Sequence, residues 1–245
     1  MEKGAYNLNG GTLSTTGVSG YYYAPLPSTF NFNGGILQAT QGDPPSGFGF
    51  MSLIGTVHVQ AGGANIDSDG FNITIAQNLL HDASTGTTDG GLTKLGSGSL
   101  TLSGTNTYNG GTTINAGTLI ANHDGALGTG NVSLASGSGI QLTLQNGATN
   151  NYIADNASLS FNFTNRNGIN LNYTGVPDQV AALIINGVYV TAPGTYGALG
   201  SGAMYEFPEF TGTGELLIVP EPSTWVLLMG GLAVLIALRR RVCRR

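Results

Sequence analysis

One cysteine in 245 residues, Cys243, leaves no possibility of a disulfide within the chain and no cysteine-based metal site. Charge is equally scarce, with charged residues making up 9% of the sequence. Residues 1–219 contain only three basic side chains, Lys3, Lys94 and Arg166, against twelve carboxylates. An acidic body without a basic patch cannot neutralise phosphates, so nucleic acid is excluded as a partner and any polyanion is repelled. A neutral glycan or a cation is not. No stretch of 1–219 repeats its apolar residues with a period near 3.6, which argues against packed helices. The scarcity of charge does not point to disorder either: 40% of residues are hydrophobic and recur in short blocks.

What is abundant is glycine, 40 residues of it, together with Asn, Thr and Ser at most polar positions. That composition suits many short strands joined by tight turns. Leu100-Thr-Leu102, Ile140-Gln-Leu-Thr-Leu144 and Leu159-Ser-Phe-Asn-Phe163 alternate apolar with uncharged polar residues, as half-buried strands do. Three segments align: Leu8-Asn-Gly-Gly-Thr-Leu13, Phe32-Asn-Gly-Gly-Ile-Leu37 and Ile114-Asn-Ala-Gly-Thr-Leu119. The first two are 24 residues apart, inside the range of stacked arrays. Six Asn-Gly pairs, beginning at Asn9, Asn33, Asn109, Asn146, Asn167 and Asn186, supply left-handed turn positions at low steric cost. A β-sandwich of hairpins would use the same strands. The recurrence of one unit at near-constant spacing favours a solenoid, in which Leu8, Phe32 and Ile114 share one interior.

The block from Gly91 to Leu119 makes this specific. It runs Lys94, Gly96-Ser-Gly98-Ser-Leu100-Thr-Leu102, Gly104-Thr-Asn106-Thr-Tyr108-Asn-Gly110, Thr112 and Gly117-Thr-Leu119. This resembles the autotransporter-associated β-strand repeat. The resemblance implies an all-β fold, a right-handed parallel β-helix on an exported surface protein, with structural roles for Lys94 and Tyr108 and no catalytic residues. The solenoid is expected over 1–183, with the repeat at 91–119. Residues 184–219 resemble, more weakly, the closing β element that follows such repeats.

Residues 220–245 differ from everything before them. Pro220-Glu221-Pro222 is followed by an uncharged run from Trp225 to Leu238 and then by Arg239, Arg240, Arg241, Arg244 and Arg245. A helix over the run's 14 residues is about 21 Å long, short of a hydrocarbon core of roughly 30 Å. Extension back to Ser223 and snorkelling of the arginines narrow the gap, giving a single transmembrane helix at 223–238 with the tail 239–245 held cytoplasmic. Trp225 falls where an interfacial aromatic anchor belongs. The three parts in this order resemble the PEP-CTERM sorting signal of Gram-negative bacteria. That resemblance implies recognition by an exosortase, a membrane-embedded protease, with transient anchoring in the inner membrane and release to the cell surface or beyond. An uncut tail anchor is the alternative. Export normally begins with an apolar leader, and Met1–Gly10 has none while Tyr6–Leu13 already reads as a repeat, so further chain upstream is expected.

No catalytic constellation emerges. His58, His81 and His123 lack metal-ligand spacing, and His58 alternates with Val57 and Val59 and so points outward. No Gly-x-Ser-x-Gly elbow occurs, the acids are scattered singly, and no cofactor or metal is expected. Asp67-Ser-Asp69-Gly70 opens like a calcium loop, but the twelfth position is Asn78, so a turn is the simpler reading. Tyr21, Tyr22 and Tyr23, near Pro25 and Pro27, form either a packed loop or a sugar-stacking platform. The sequence thus predicts an exported structural or adhesive protein, with exopolysaccharide or envelope glycans as possible partners. A carbohydrate-binding surface module is the alternative.

Overall fold

The computed structural model describes residues 4–20, 28–44, 47–162, 167–190 and 192–219. The expected membrane helix at 223–238 lies outside them. Among the described residues no helix is long and apolar enough to cross a membrane, and all regular structure is strand.

The strands wind into a β-solenoid of the right-handed type, with three faces. The first face stacks Ala5–Leu8, Thr29–Phe32, Thr56–Val59 and Leu79–His81. The second runs through Thr12–Thr15, Ile36–Ala39, Ala64–Asp67, Leu92–Leu95, Thr112–Ile114, Val132–Leu134, Ser158–Phe161 and Ala182–Ile185. The third runs from Val18–Ser19 through Met51–Ser52, Asn72–Ile75, Ser99–Leu102, Thr118–Ala121, Gln141–Gln145 and Ile169–Asn172 to Phe210–Gly212. Eight parallel strands on the second face are eight rungs joined by seven turns. Every pairing within this stack is parallel, which a meander of hairpins cannot produce.

Parallel register aligns like side chains in columns. On the third face Ile73, Leu100, Leu119, Leu142, Ile169 and Phe210 face inward one above another. On the second, Leu13, Leu37, Ile66, Lys94, Ile114 and Leu134 occupy successive places in one inner column. Burying each large apolar member stabilises the stack by about 1.5–3 kcal/mol relative to leaving it in water. Leu8, Phe32 and Ile114 are all buried in this single core, as the aligned segments predicted. The segments do not, however, occupy one place in the coil. Leu8–Leu13 and Phe32–Leu37 turn from the first face into the second, whereas Ile114–Leu119 turns from the second into the third. The shared pattern specifies a corner, whichever corner that is.

Outward ladders of uncharged polar groups accompany the inner columns. Asn31 Nδ2 donates to Asn7 Oδ1 at 2.6 Å, and Asn33 Nδ2 to Asn9 Oδ1 at 3.2 Å. His58 extends the first ladder, its Nδ1 lying 3.2 Å from Asn31 Oδ1 between the buried Val57 and Val59. Its outward orientation matches the expectation.

At the far end the coil gives way to antiparallel pairing. Asn186 and Gly187, with φ of 52° and 78°, turn Ala182–Ile185 back into Val188–Val190, which covers the last edge of the second face. Two consecutive positive φ values make this a type I′ turn, the hairpin use of Asn-Gly. A four-stranded sheet follows, in the order Asp178–Val180, Glu215–Ile218, Gly194–Gly197, Tyr205–Glu206.

Candidate functional site

Between the fourth and sixth rungs the first face has no regular strand, and the coils shorten to 20 residues, from Leu92 to Thr112 and from Thr112 to Val132. Side chains take over the work of the missing ladder. Asn106, 3% exposed, accepts from Leu79 N at 2.8 Å on the rung below and donates from Nδ2 to Ala126 O on the rung above. Tyr108 is fully buried, its hydroxyl 2.7 Å from Thr112 Oγ1, which in turn donates to Leu127 O at 2.9 Å. Burial pushes the Tyr108 phenol well above the ordinary range, so it stays neutral.

Asp89 closes the adjoining corner. Its Oδ1 accepts from Gly91 N and Gly110 N, both at 2.8 Å, and its Oδ2 accepts from Asn109 N at 2.9 Å. Asn109 Oδ1 answers by accepting from Asp89 N at 2.9 Å. His81 Nδ1 lies 2.9 Å from Asp89 Oδ2. A carboxylate so surrounded is consumed by structure and presents no free lone pair for general-base chemistry.

Lys94 is the one lysine or arginine among the described residues, and it is fully buried in a column otherwise built of Leu and Ile. Its stem substitutes for their apolar bulk. Its Nζ emerges under the corner between the second and third faces, 2.7 Å from Leu95 O and Gly96 O, 2.8 Å from Ser68 Oγ and 3.2 Å from Ala116 O. Burial pulls the ammonium down to about 8, with Asp67 opposing the shift. Three protons facing four oxygens satisfy the charged form, and at pH 7 the group remains charged. The structural roles expected for Lys94 and Tyr108 are therefore visible as contacts.

Above that cage lies an open trough of about 580 Å³. Its walls include Asn72, Ser99, Asn115, Thr118, Ser136 and Ser138, with glycines at 98, 117, 137 and 139 in its floor and rim. No charged residue lines it.

Asp67-Ser-Asp69-Gly70 forms a turn. Asp69 and Gly70 have φ of 46° and 87°, and Asp67 Oδ1 accepts from Asp69 N at 2.8 Å. Among the described residues no three His, Cys, Asp or Glu side chains stand close enough to hold a metal ion. His123 contacts Thr105 Oγ1 at 3.2 Å, far along the chain from the His81–Asp89 pair. Pro220, Glu221, Pro222, Trp225, Leu238, Arg239, Arg240 and Arg241 lie outside the described residues, as do Tyr21, Tyr22 and Tyr23.

Two features escaped the sequence reading. One is the Asp89 clasp. Its signal was available in the Gly-Gly doublets at 10, 34, 62, 90 and 110, which repeat once per coil and mark the corner where backbones touch. The other is the pair of buried carboxyls, Asp178 and Glu209, which each keep one oxygen without a hydrogen-bond partner among the described residues. Burial pushes Asp178 up to about 8. Nothing in an isolated Asp or Glu announces such a fate.

Comparison with known families places both motifs. The family of the passenger-associated-transport-repeat matches residues 92–121, the stretch that carries Lys94, Asn106, Tyr108 and Thr112. The PEP-CTERM protein-sorting motif matches residues 219–241. No curated protein and no solved structure matches the chain.

Proposed function

We propose that this chain is an exported, non-catalytic structural or adhesive protein of the cell surface or extracellular matrix, delivered by its C-terminal signal through an exosortase-type protease. The observation that carries the proposal is the junction at Ile218. A sorting motif matched from residue 219 follows directly on the last strand of a β-solenoid. The passenger repeat matched within the coil supports export, because that repeat is named for passengers in transport. The exterior supports a mechanical role: ladders of uncharged hydrogen bonds, an apolar core in register, and polar side chains spent on holding rungs together.

In this reading the solenoid of residues 1–183 and the closing element of 184–219 interlock rather than abut, the last rung Ala182–Ile185 crossing between them and Phe210–Gly212 completing the third face, and 220–245 address the whole. Pro220-Glu221-Pro222 is the recognition element, held extended by its two prolines. The helix at 223–238 sits in the inner membrane between Trp225 and Leu238, and Arg239, Arg240 and Arg241 keep its end cytoplasmic. Processing then frees the acidic body on the outer side.

The test is to follow the full chain in a Gram-negative host with and without its exosortase, by fractionation and by mass spectrometry of the C-terminus. The body should reach the surface or medium without its arginine tail when the protease is present. It should stay membrane-bound and intact when the protease is absent, or when Pro220, Glu221 and Pro222 are all replaced by Ala. An intact tail on surface-exposed protein, or retention in the cytosol in both hosts, refutes the proposal.

A further inference from the structure

We infer that the trough at the corner between the second and third faces is a binding site for an unbranched, uncharged polysaccharide lying along the solenoid axis. This inference rests on the surface-protein reading and names what that surface takes.

Shape comes first. The trough touches four successive rungs, at Asn72, Ser99, Thr118 and Ile140, so it extends along the axis by three strand spacings, roughly 14 Å. It is open along its length, which suits a segment of a polymer better than an enclosed small molecule. Its floor is rigid from below. The Lys94 ammonium holds Gly96 O and Ala116 O in place, and Ser68 Oγ ties the same cage to Ser97 O at 2.6 Å. A pre-ordered floor spares a ligand the entropic cost of ordering it.

Chemistry comes second. Part of the wall is already engaged: Asn72 Oδ1 accepts from Ser99 Oγ at 2.9 Å. Asn115, Thr118 and Ser138 line the trough, and among the described residues their side chains have no hydrogen-bond partner. Exposed hydroxyls and an amide, each both donor and acceptor, are complementary to sugar hydroxyls. The exposed backbone and methylenes around Gly98 and Gly117 offer the apolar contact that a sugar ring's C–H face needs.

Charge selects among glycans. Beside the Gly96–Ser97 end of the trough stand two carboxylates, Asp67, whose Oδ1 would be overrun by any Cβ at Gly96, and Asp69 in the adjoining turn. The described exterior has no lysine or arginine to offset them. An anionic polysaccharide would be repelled at that end of the trough and find no cation along the rest, and a neutral one would not be repelled.

The test uses the full chain in detergent and affinity electrophoresis against a panel of unbranched neutral glucans, mannans and xylans, with alginate as the anionic probe. At least one neutral polymer should retard the protein, and alginate should not. Asn115→Ala combined with Thr118→Val removes two hydrogen-bonding groups and should weaken retardation about tenfold. Ala116→Trp, which fills the trough, should abolish it, and Thr93→Val on the outside of the second face should leave it unchanged. Retardation by no neutral polymer, preference for alginate, or equal binding by both trough variants overturns the inference. Export is scored separately by fractionation, so normal surface delivery with no glycan binding condemns the trough alone.

Discussion

Replacing Gly110 with alanine should be among the costliest single-methyl changes available to this protein, although the backbone there has an ordinary conformation. A Cβ at Gly110 would collide with Asp89 O and Gly91 N and would stand 2.7 Å from Gly90 C. All three are main-chain atoms of the neighbouring rung, so no side chain can swing aside. Restoring ordinary carbon contacts of about 3.5 Å demands that the two coils part by roughly 1 Å. The coils are joined at this point by Gly110 N and Asn109 N donating to the Asp89 carboxylate at 2.8 and 2.9 Å. Hydrogen bonds to a charged group contribute about 1.5–3 kcal/mol each, so loss of the pair costs about 4 kcal/mol. Two controls separate close approach from conformation. Gly139, at φ 77° with nothing within 4 Å, should lose only about 1 kcal/mol on becoming alanine. Gly4, open and without positive φ, should lose nothing. Urea unfolding followed by far-ultraviolet circular dichroism at pH 7 gives the ranking. If Gly110→Ala unfolds at the same midpoint as Gly139→Ala, backbone contact is not what fixes this corner.

Three further perturbations probe other parts of the coil. Asn106→Asp keeps the shape but turns the donor facing Ala126 O into an acceptor; it should cost about 3 kcal/mol at pH 7 and recover partly on acidification, read by thermal melts across pH. Lys94→Met preserves apolar bulk in the column but removes the donor to Gly96 O and Ala116 O; it should lower stability by about 1–3 kcal/mol in urea, and a gain would show that burying the charge outweighs the cage. Asp178 binds its proton more tightly folded, near pH 8, than unfolded, near 3.8, so between those values the native state holds an extra proton and stability falls as pH rises, by up to about 1.4 kcal/mol per unit. Asp178→Asn should flatten that slope in melts from pH 5 to 9, and an unchanged slope would assign it to other groups.

The coil was legible because its rules are periodic. Leu8 and Phe32 announce a 24-residue rung by recurrence alone, and they do stack, Leu8 directly on Phe32. Alternation around Leu100 and Leu142 likewise revealed inner columns. Ile114 shows where this reasoning stops. Its Asn-x-Gly-Thr-Leu surroundings match those of Leu8, yet its stacking partners are Lys94 and Leu134. A corner needs apolar, polar, small and apolar residues in turn whichever faces it joins, so local pattern cannot say which corner it is. Rung lengths from 20 to 29 residues on the second face compound the ambiguity, because no fixed period carries the count across them.

Lys94 and Asp89 expose a second limit, and it bears on function. A charged residue in a strand of alternating pattern reads as surface, but Lys94 points inward because carbonyls of two rungs converge beyond its reach of apolar stem. Asp89 is buried because four donors converge on it. Convergence of main-chain groups from different coils is a three-dimensional fact with no signature at one position. The same logic governs the trough: Asn115 resembles every other corner Asn in sequence, and only the stack shows that its neighbours on the rungs above and below leave it unpaired. In a solenoid, then, a polar side chain that the ladder does not use marks the surface left over for a partner. Asn170 on the third face meets that criterion among the described residues as well, so what singles out this corner is the gathering of Asn115, Thr118 and Ser138 in one uncharged trough over the caged Lys94 ammonium.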